Sequence, residues 1–589
     1  MENRSVIIHL WSHISKKRQK QTFALFFLMV VASFGEVLSI GAVLPFLTVL
    51  TAPEIVFQHE LSQPLINIFN IKDSQKLILP LTIIFAIAAL LSGFLRLTLM
   101  WFQIKFINAL AADLSVDIYR KTLYQPYSVH LSRNSSEVIA GIARKVDTVV
   151  FGTILPLLVI LSSSLMMFSI IFFLLVVEPL ISSSALLGFG IIYAGVILLS
   201  KNRLRIDSKK ISGEQNKVIK VLQEGLGGIR DVLLNNSQEI FAKVYENSER
   251  AYRKASSNVQ IISASPRFIV ECLGMILIAL LAFFLASTSS TLLSAIPVLG
   301  ALVLGAQRLL PLLQGAYAAL TNFRGARASL DDSLKLLDQP LPSFSEKQKT
   351  QKVNFENSLI LKNIFFQYNI NTPYILQNVS FRISKGSKVG IFGSTGCGKS
   401  TLLDIIMGLL EPSQGNILID DVAITKNNSN AWQSRLSHVP QSIFLADTSI
   451  GENIAFGVPV EFIDFEKVKQ SAKIAQISET INNLDKKYDT LVGERGMRLS
   501  GGQRQRIGIA RALYRGSDVI IFDEGTSALD NETEIEVMKA LDSLGGHITI
   551  ILVAHRLSTL KNCDKLYLVK NRSVDEIESY EKMIETDVL

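Results

Sequence analysis

Two stretches of this sequence place residues where phosphate chemistry needs them. Gly393-Ser394-Thr395-Gly396-Cys397-Gly398-Lys399-Ser400 fits the pattern G-x-x-x-x-G-K-[ST] and follows a short apolar run, Val389-Gly390-Ile391-Phe392. A helical pattern, Leu402 to Leu410, comes next. Strand, glycine loop and helix in that order let backbone N–H groups wrap phosphates, and the helix N-terminus adds partial positive charge. Lys399 is expected on the β- and γ-phosphates of a nucleotide and Ser400 on Mg2+. The second stretch, Val519-Ile520-Ile521-Phe522, ends in Asp523-Glu524. An apolar strand stopping at two carboxylates offers Asp523 to Mg2+ and Glu524 to the attacking water as general base. Paired acids at a strand end are otherwise an ordinary solvated terminus; the phosphate loop upstream decides for chemistry. The three cysteines, Cys272, Cys397 and Cys563, match neither a disulfide framework nor a zinc spacing. Cys397 reads as a space-filler within the loop.

These motifs sit in the second half of a chain whose halves differ. The 589 residues are 49% hydrophobic and only 19% charged, with a mean hydropathy of +0.34. That charge content falls below the roughly 25% of an ordinary soluble domain, which argues against a wholly soluble chain, and the apolar composition excludes a disordered or collagen-like one. The uncharged runs crowd into the first half: 21–35, 37–53, 77–95, 148–177, 179–200 and 272–307. A bilayer crossing takes about 20 apolar residues, and Ser287-Thr288-Ser289-Ser290 divides the last run. Six membrane helices are therefore expected, at about 21–50, 77–107, 142–176, 180–200, 266–286 and 291–320. Buried soluble helices are the competing reading, and six such lengths argue against it.

Lys and Arg set the orientation. Five lie in 1–20, six in 105–147 and twelve in 201–254, against Lys72 and Lys76 alone in 51–76. Both termini and the second half are expected on the cytoplasmic side of the cytoplasmic membrane. The net charge of +8 is then mainly topology rather than a nucleic-acid footprint. Residues 105–147 and 201–265 read as helices continuing out of the bilayer, with cross-pieces near 123–133 and 225–238. In the outer connection, Leu61, Leu65, Ile68 and Phe69 share a helical face and suggest a short helix over 61–71. Pro340, Pro342 and the polar run from Ser343 to Gln351 read as a linker. The domains are thus 1–337, six membrane helices, then a linker 338–351, then an α/β phosphate-loop domain over 352–589.

Between the two phosphate motifs lies Leu499-Ser500-Gly501-Gly502-Gln503-Arg504-Gln505-Arg506, and with it the chain resembles the ATP-binding cassette transporters, whose signature is LSGGQ. Further motifs follow the family order. Tyr368, 25 residues before Gly393, matches the aromatic that stacks on adenine. Gln441 after Val439-Pro440 matches the glutamine that links Mg2+ and γ-phosphate to the membrane domain. Ser527-Ala528-Leu529-Asp530 matches the D-loop, His555 in Val553-Ala554-His555-Arg556 the switch histidine, and Gly493-Glu494-Arg495-Gly496 the X-loop of exporters. Two departures are Gly525, where alanine is commoner, and Asn571-Arg572-Ser573 in place of a glycine-rich strand, where an altered local fold is expected.

The resemblance implies catalysis by Glu524, His555 and Gln441, with Mg2+ on Ser400, Gln441 and Asp523. It implies ATP contacts from Tyr368, from the loop Gly393 to Ser400 with Thr401, and from Ser500, Gly501, Gly502, Gln503 and Asp530, with Ser500, Gly501 and Gly502 completing the site of an opposite cassette. One chain is then half a transporter, and a homodimer is the simplest assembly. Ser265-Pro266-Arg267-Phe268-Ile269-Val270-Glu271, Arg308-Leu309-Leu310-Pro311 and the Glu36 to Pro45 stretch look like bacterial lipid-linked oligosaccharide flippases and the related cyanobacterial envelope-polysaccharide exporters. Ionisable groups within membrane helices are costly and need a reason. Arg96 and Arg308 are candidates for an anionic head group, with Glu36 and Arg267 also in the set; Arg267 and Glu271 are spaced to pair along one helix face instead. The expected cargo is a lipid-linked sugar; the alternative is a lipid A-type or multidrug exporter with a greasier cavity.

Overall fold

The computed structural model describes residues 8–59, 62–69, 71–133, 139, 146–177, 179–288, 292–341, 353–524, 531–542, 547–553 and 557–585. It divides into two compact units, one of residues 1–125 with 133–341, the other of 126–132 with 342–589.

The first unit is helical. Its long helices are α1 (Lys16–Thr51), α2 (Ile78–Leu123), α3 (Leu155–Val177), α4 (Pro179–Gly227), α5 (Gln238–Thr288) and α6 (Leu292–Gly325), followed by α7 (Arg327–Leu337). The helices Lys16–Thr51, Ser74–Leu123 and Val150–Val177 are each long and apolar enough to cross a membrane. The runs expected to supply the other three crossings lie in α4, α5 and α6. At 49 and 51 residues, α4 and α5 are each about 75 Å long, more than twice the ~30 Å hydrocarbon core. They therefore continue well beyond it, as the charge pattern of 201–265 required. They meet at Gly225, against Phe241, through the short helix Ile229–Leu234. The third crossing opens with a π-helical turn, Val150–Ile154. Pro156 has no N–H for the carbonyl four residues back, which releases the ladder there.

Burial in this unit runs opposite to a soluble protein. Phe23, Phe27, Phe34, Leu90 and Phe94 are exposed, while Ser33, Ser39, Ser92, Gln103 and Ser163 are buried. Small polar residues let helices approach, and lipid rather than water solvates the apolar exterior. After α1 the outer connection forms two short helices, Pro53–Gln58 and Gln63–Phe69. Val56 and Ile66 join Val49, Ile71 and Leu77 in a small cluster of their own. Leu61 lies outside the described residues.

In the second unit, one sheet is antiparallel: β1 (Ser358–Phe366), β2 (Leu376–Ser384), β4 (Gln414–Ile419) and β5 (Val422–Ala423), in the order β2-β1-β4-β5. The other has the order β10-β9-β3-β8-β7-β6, from β3 (Lys388–Phe392), β6 (Leu436–Val439), β7 (Val519–Asp523), β8 (Thr549–Val553), β9 (Lys565–Lys570) and β10 (Ser573–Ile577). Its pairs are parallel except β9 with β10. All five residues of β3 and of β8 are buried, the continuous apolar strand expected of a sheet covered on both faces. Helix α8 (Lys399–Ile406) follows the phosphate loop, and α9 (Gly501–Arg515) begins inside the Leu499–Gln503 motif.

The sequence reading expects an altered local fold at 571–573, and the structure corrects it. β9 and β10 pair in unbroken register from Ser573 opposite Lys570 to Ile577 opposite Leu566. Asn571 (φ 50°) and Arg572 (φ 67°) both take left-handed backbone, the two-residue hairpin turn that matches strand twist. Asparagine tolerates that region, so the hairpin forms without glycine.

Candidate functional site

The phosphate loop leaves the C-terminal end of β3, at the centre of its sheet. Gly393 has φ 150°, and a Cβ there would meet the Val569 carbonyl oxygen at 2.3 Å, so only glycine fits. Gly398 (φ 105°) is the N-cap of α8. Ser394, Thr395, Gly396 and Ser400 are exposed, and Cys397 packs against the buried cluster beneath. Lys399 is 8% exposed; its Nζ donates to the carbonyls of Gly393 (2.8 Å) and Ser394 (3.0 Å). The lysine is therefore held against the backbone of a loop that leads into the N-terminus of α8, the arrangement that receives phosphates.

Tyr368 is half-exposed at the edge of an open cleft of about 810 Å³ that also includes Asn369, Tyr374 and Gln414. Its ring meets Phe366 edge-on (5.1 Å between centroids), and its hydroxyl lies 3.0 Å from Thr401 Oγ1. A planar base fits against such a ring. Thr401 thus links the base side of the site to the phosphate side.

At the end of β7, Glu524 takes left-handed backbone (φ 52°) and its N–H donates to the Val553 carbonyl. Gln441 Nε2 donates to Glu524 Oε2 at 2.6 Å, so the structure brings together two of the three expected catalytic groups. His555 and Asp530 lie outside the described residues, as does Gly525. Two residues to which the sequence reading gave no role belong here. Gln505 donates from its side-chain amide to the Glu524 carbonyl oxygen at 3.2 Å. Asp404, one helical turn after Ser400, has a carboxyl pushed up to about 6 by burial and by the Asp523 charge. The i, i+4 spacing from Ser400 was the available signal, because it puts Asp404 on the face that Ser400 presents. Two carboxylates close enough to oppose each other's ionisation, one of them a helical turn from Ser400, are hard oxygen donors of the kind that suits Mg2+.

Ser500 caps α9. Its Oγ accepts from the Gln503 N–H (3.2 Å), and its own N–H donates to Gln503 Oε1 (2.8 Å). This reciprocal cap fixes the first turn. Ser500 and Gly501 are exposed, so a 15-residue helix presents its N-terminus outward. Arg511 anchors the same helix, donating to the carbonyls of Phe444 and Asn453 with its guanidinium 4.6 Å above the Phe456 ring.

In the helical unit the expected cargo residues separate into two groups. Glu36 is fully buried, with Oε1 3.0 Å from Arg96 Nε and 2.9 Å from the donating Ser92 hydroxyl. Its Oε2 is 3.6 Å from Arg308 Nη1 and has no hydrogen bond. Both arginine side chains remain about one-third exposed. Helices α1, α2 and α6 thus share one carboxylate between two guanidinium groups, a cluster with one positive charge in excess. Arg267 is not part of it: it lies 4.0 Å from Glu271, four residues on, and both are exposed.

Comparison with known proteins agrees with this division of the chain. The ABC transporter transmembrane region model matches residues 22–295, and the ABC transporter model matches 376–527. The heterocyst differentiation ATP-binding protein HepA of a Nostoc species is 27% identical over 578 residues, covering 96% of this chain and 92% of that one. The ATP-dependent lipid A-core flippase of Pasteurella multocida is 29% identical over 406 residues, 68% of this chain and 69% of that one. Among solved structures, a bacterial Atm1-family ABC exporter with ATP bound superposes with a TM-score of 0.78 over 97% of both chains at 22% identity, a likeness of fold.

Proposed function

The chain belongs to the ABC transporter family, an exporter-type membrane domain joined to an ATPase, and from that premise we propose that it flips a lipid-linked oligosaccharide or related glycolipid across the cytoplasmic membrane. The observation that carries the reading is the Glu36–Arg96–Arg308 cluster. Two guanidinium groups gathered around one carboxylate leave a net positive charge that suits a diphosphate better than an uncharged drug, because planar N–H pairs match phosphate oxygens. The relative named as a lipid A-core flippase supports a lipid cargo.

The working unit is a homodimer. ATP binds with its base on Tyr368 and its phosphates on the Gly393–Thr401 loop, while the exposed Ser500–Gln503 turn of the second copy closes over the γ-phosphate. Ser400, Gln441 and Asp523 would hold Mg2+, which when bound would neutralise charge on the phosphates. Glu524 accepts a proton from the attacking water, and its bond to Gln441 orients it for that. His555 and Asp530 act in the same step, from the family pattern. Hydrolysis separates the two ATPase domains, and segments near 123–133 and 225–238 carry that motion to the membrane helices. In support, the short helix Tyr127–Ser132 groups with the ATPase unit. The Tyr127 hydroxyl there is pushed up by burial, then by Asp404 and Tyr368. The Lys and Arg distribution supports a cytoplasmic ATPase.

The test is ATPase activity and flipping in vesicles holding polyprenyl-pyrophosphate oligosaccharides. Stimulation by these lipids, lost in Arg96→Ala and Arg308→Ala, supports the reading. Stimulation by lipid A or uncharged drugs alone, unaffected by either change, replaces it with the lipid A-type or multidrug reading.

A further inference from the structure

We propose that His9, His13 and Asp338 form a Zn2+ site that fastens the start of the chain to the end of α7. The two imidazole Nε2 atoms lie 2.9 and 3.0 Å from the same carboxylate oxygen, Asp338 Oδ1. All three candidate ligand atoms lie within 4.8 Å of one another. Tetrahedral zinc with bonds of about 2.0–2.1 Å places neighbouring ligands roughly 3.3 Å apart. The two distances to the carboxylate oxygen, 2.9 and 3.0 Å, fall within a few tenths of an ångström of that spacing.

Ligand type and setting agree. Two neutral imidazoles and one carboxylate are a zinc donor set, and a fourth position stays open to water because His9 and Asp338 are about half-exposed. The histidines are four residues apart, with ring centroids 5.4 Å apart, so one helical turn directs both to the same side.

The backbone carrying these groups is already in place. Leu10 and Ile14, beside the histidines, are 3% and 8% exposed, and they belong to the same apolar cluster as Leu330, Leu334 and Leu337 on α7. The Gln19 side chain donates to the carbonyls of Trp11 and Ile14, tying the histidine turn to the first turn of α1. The Asp338 N–H donates to the Leu334 carbonyl, which fixes the carboxylate at the end of α7. A metal arriving here orders side chains only, so little of its binding energy is spent on ordering the chain. Bound zinc would cross-link positions 325 residues apart in sequence and restrain the N-terminal turn against α7.

The experiment uses the full chain in detergent, purified without a histidine tag and freed of metal. Zn2+ is titrated in competition with a chromophoric chelator, in wild type, His9→Ala and Asp338→Asn; both positions are surface-exposed, so neither change unfolds the protein. Wild type is expected to bind one Zn2+ equivalent that each variant binds about tenfold more weakly or worse, and Zn2+ should raise the melting temperature of wild type only. Co2+ in the same site should show tetrahedral visible bands with no thiolate charge-transfer band, which separates it from Cys272, Cys397 and Cys563. Equal stoichiometry and affinity in all three proteins, or a thiolate band that survives Asp338→Asn, overturns the proposal.

Discussion

Replacing Glu36 with glutamine keeps the shape of the side chain and removes the charge that two arginines share. Arg96 lies at hydrogen-bond distance, 3.0 Å, whereas Arg308 at 3.6 Å has an ion pair only. Coulomb energy falls as 1/r, so distance alone makes the Arg96 pair about 1.2 times the Arg308 pair. The hydrogen bond to a charged group adds roughly 1.5–3 kcal/mol on the Arg96 side alone. Breaking a buried pair costs about 3–5 kcal/mol when one charge is stranded. Here both guanidiniums are one-third exposed, and screening lowers the coupling to about 2–3 kcal/mol for Glu36 with Arg96 and about 1 kcal/mol for Glu36 with Arg308. The assay is a double-mutant cycle over Glu36→Gln, Arg96→Gln and Arg308→Gln, reading melting temperature in detergent at one scan rate. At about 2–4 °C per kcal/mol, Glu36→Gln should melt roughly 6–16 °C below wild type. Adding Arg96→Gln to it should cost less than Arg96→Gln does in wild type. Additivity within about 0.5 kcal/mol for both pairs, or a stronger coupling to Arg308, would refute the reasoning.

Further outcomes follow from the ATP site. Glu524→Gln should lower ATP turnover by about 10²-fold or more while ATP still binds, because the base is lost and the loop is intact; retained turnover rules Glu524 out as the base. Tyr368→Ala should raise KM for ATP several-fold with kcat little changed, measured by steady-state ATPase assay, since the ring binds ground and transition states alike. Asp404→Asn should stabilise the metal-free, nucleotide-free chain at pH 8. The Asp404 carboxyl is raised from 3.8 to about 6, so its native form favours the proton, and stability is lost as pH rises through that window. Discounted for partial exposure, the gain at pH 8 is about 1–2 kcal/mol, roughly half of it at pH 5 and little below pH 4. Melting curves with chelator check it, and an equal gain at pH 8 and pH 4 contradicts it. Arg511→Ala should lower the melting temperature by several degrees, as it removes donors to the Phe444 and Asn453 carbonyls together; an unchanged value would show the anchor to be redundant.

Much of this molecule is decided by short-range pattern. An uncharged run long enough to cross a bilayer has few alternatives, because unpaired backbone groups have no water there, so a helical membrane domain was readable from the sequence, and three of the expected crossings are helices long and apolar enough to span a bilayer. Gly393 to Ser400 was equally legible: its glycines and lysine act through backbone geometry within eight residues. Ser500 to Gln503 likewise carried its own cap. Other features depended on chain segments far apart meeting. Nothing local to Glu36 shows that its carboxylate lies between Arg96 and Arg308, since 60 and 272 residues of chain separate them and only helix packing sets that distance. Arg267, of the same residue type and in a similar setting, pairs within its own helix instead. Asp404 acquired its raised carboxyl from burial and from Asp523, 119 residues on, which neither motif reveals alone. The hairpin at Asn571-Arg572 was misjudged because the family pattern supplies glycine, whereas the strand pairing on either side holds two non-glycine residues in left-handed backbone. His9, His13 and Asp338 are unremarkable in sequence, and they became a site only when Leu10, Ile14 and α7 packed into one core. Backbone chemistry and solvent preference are written in consecutive residues; charge pairing and ligand geometry depend on distance in space, which only the packed helices and sheets determine.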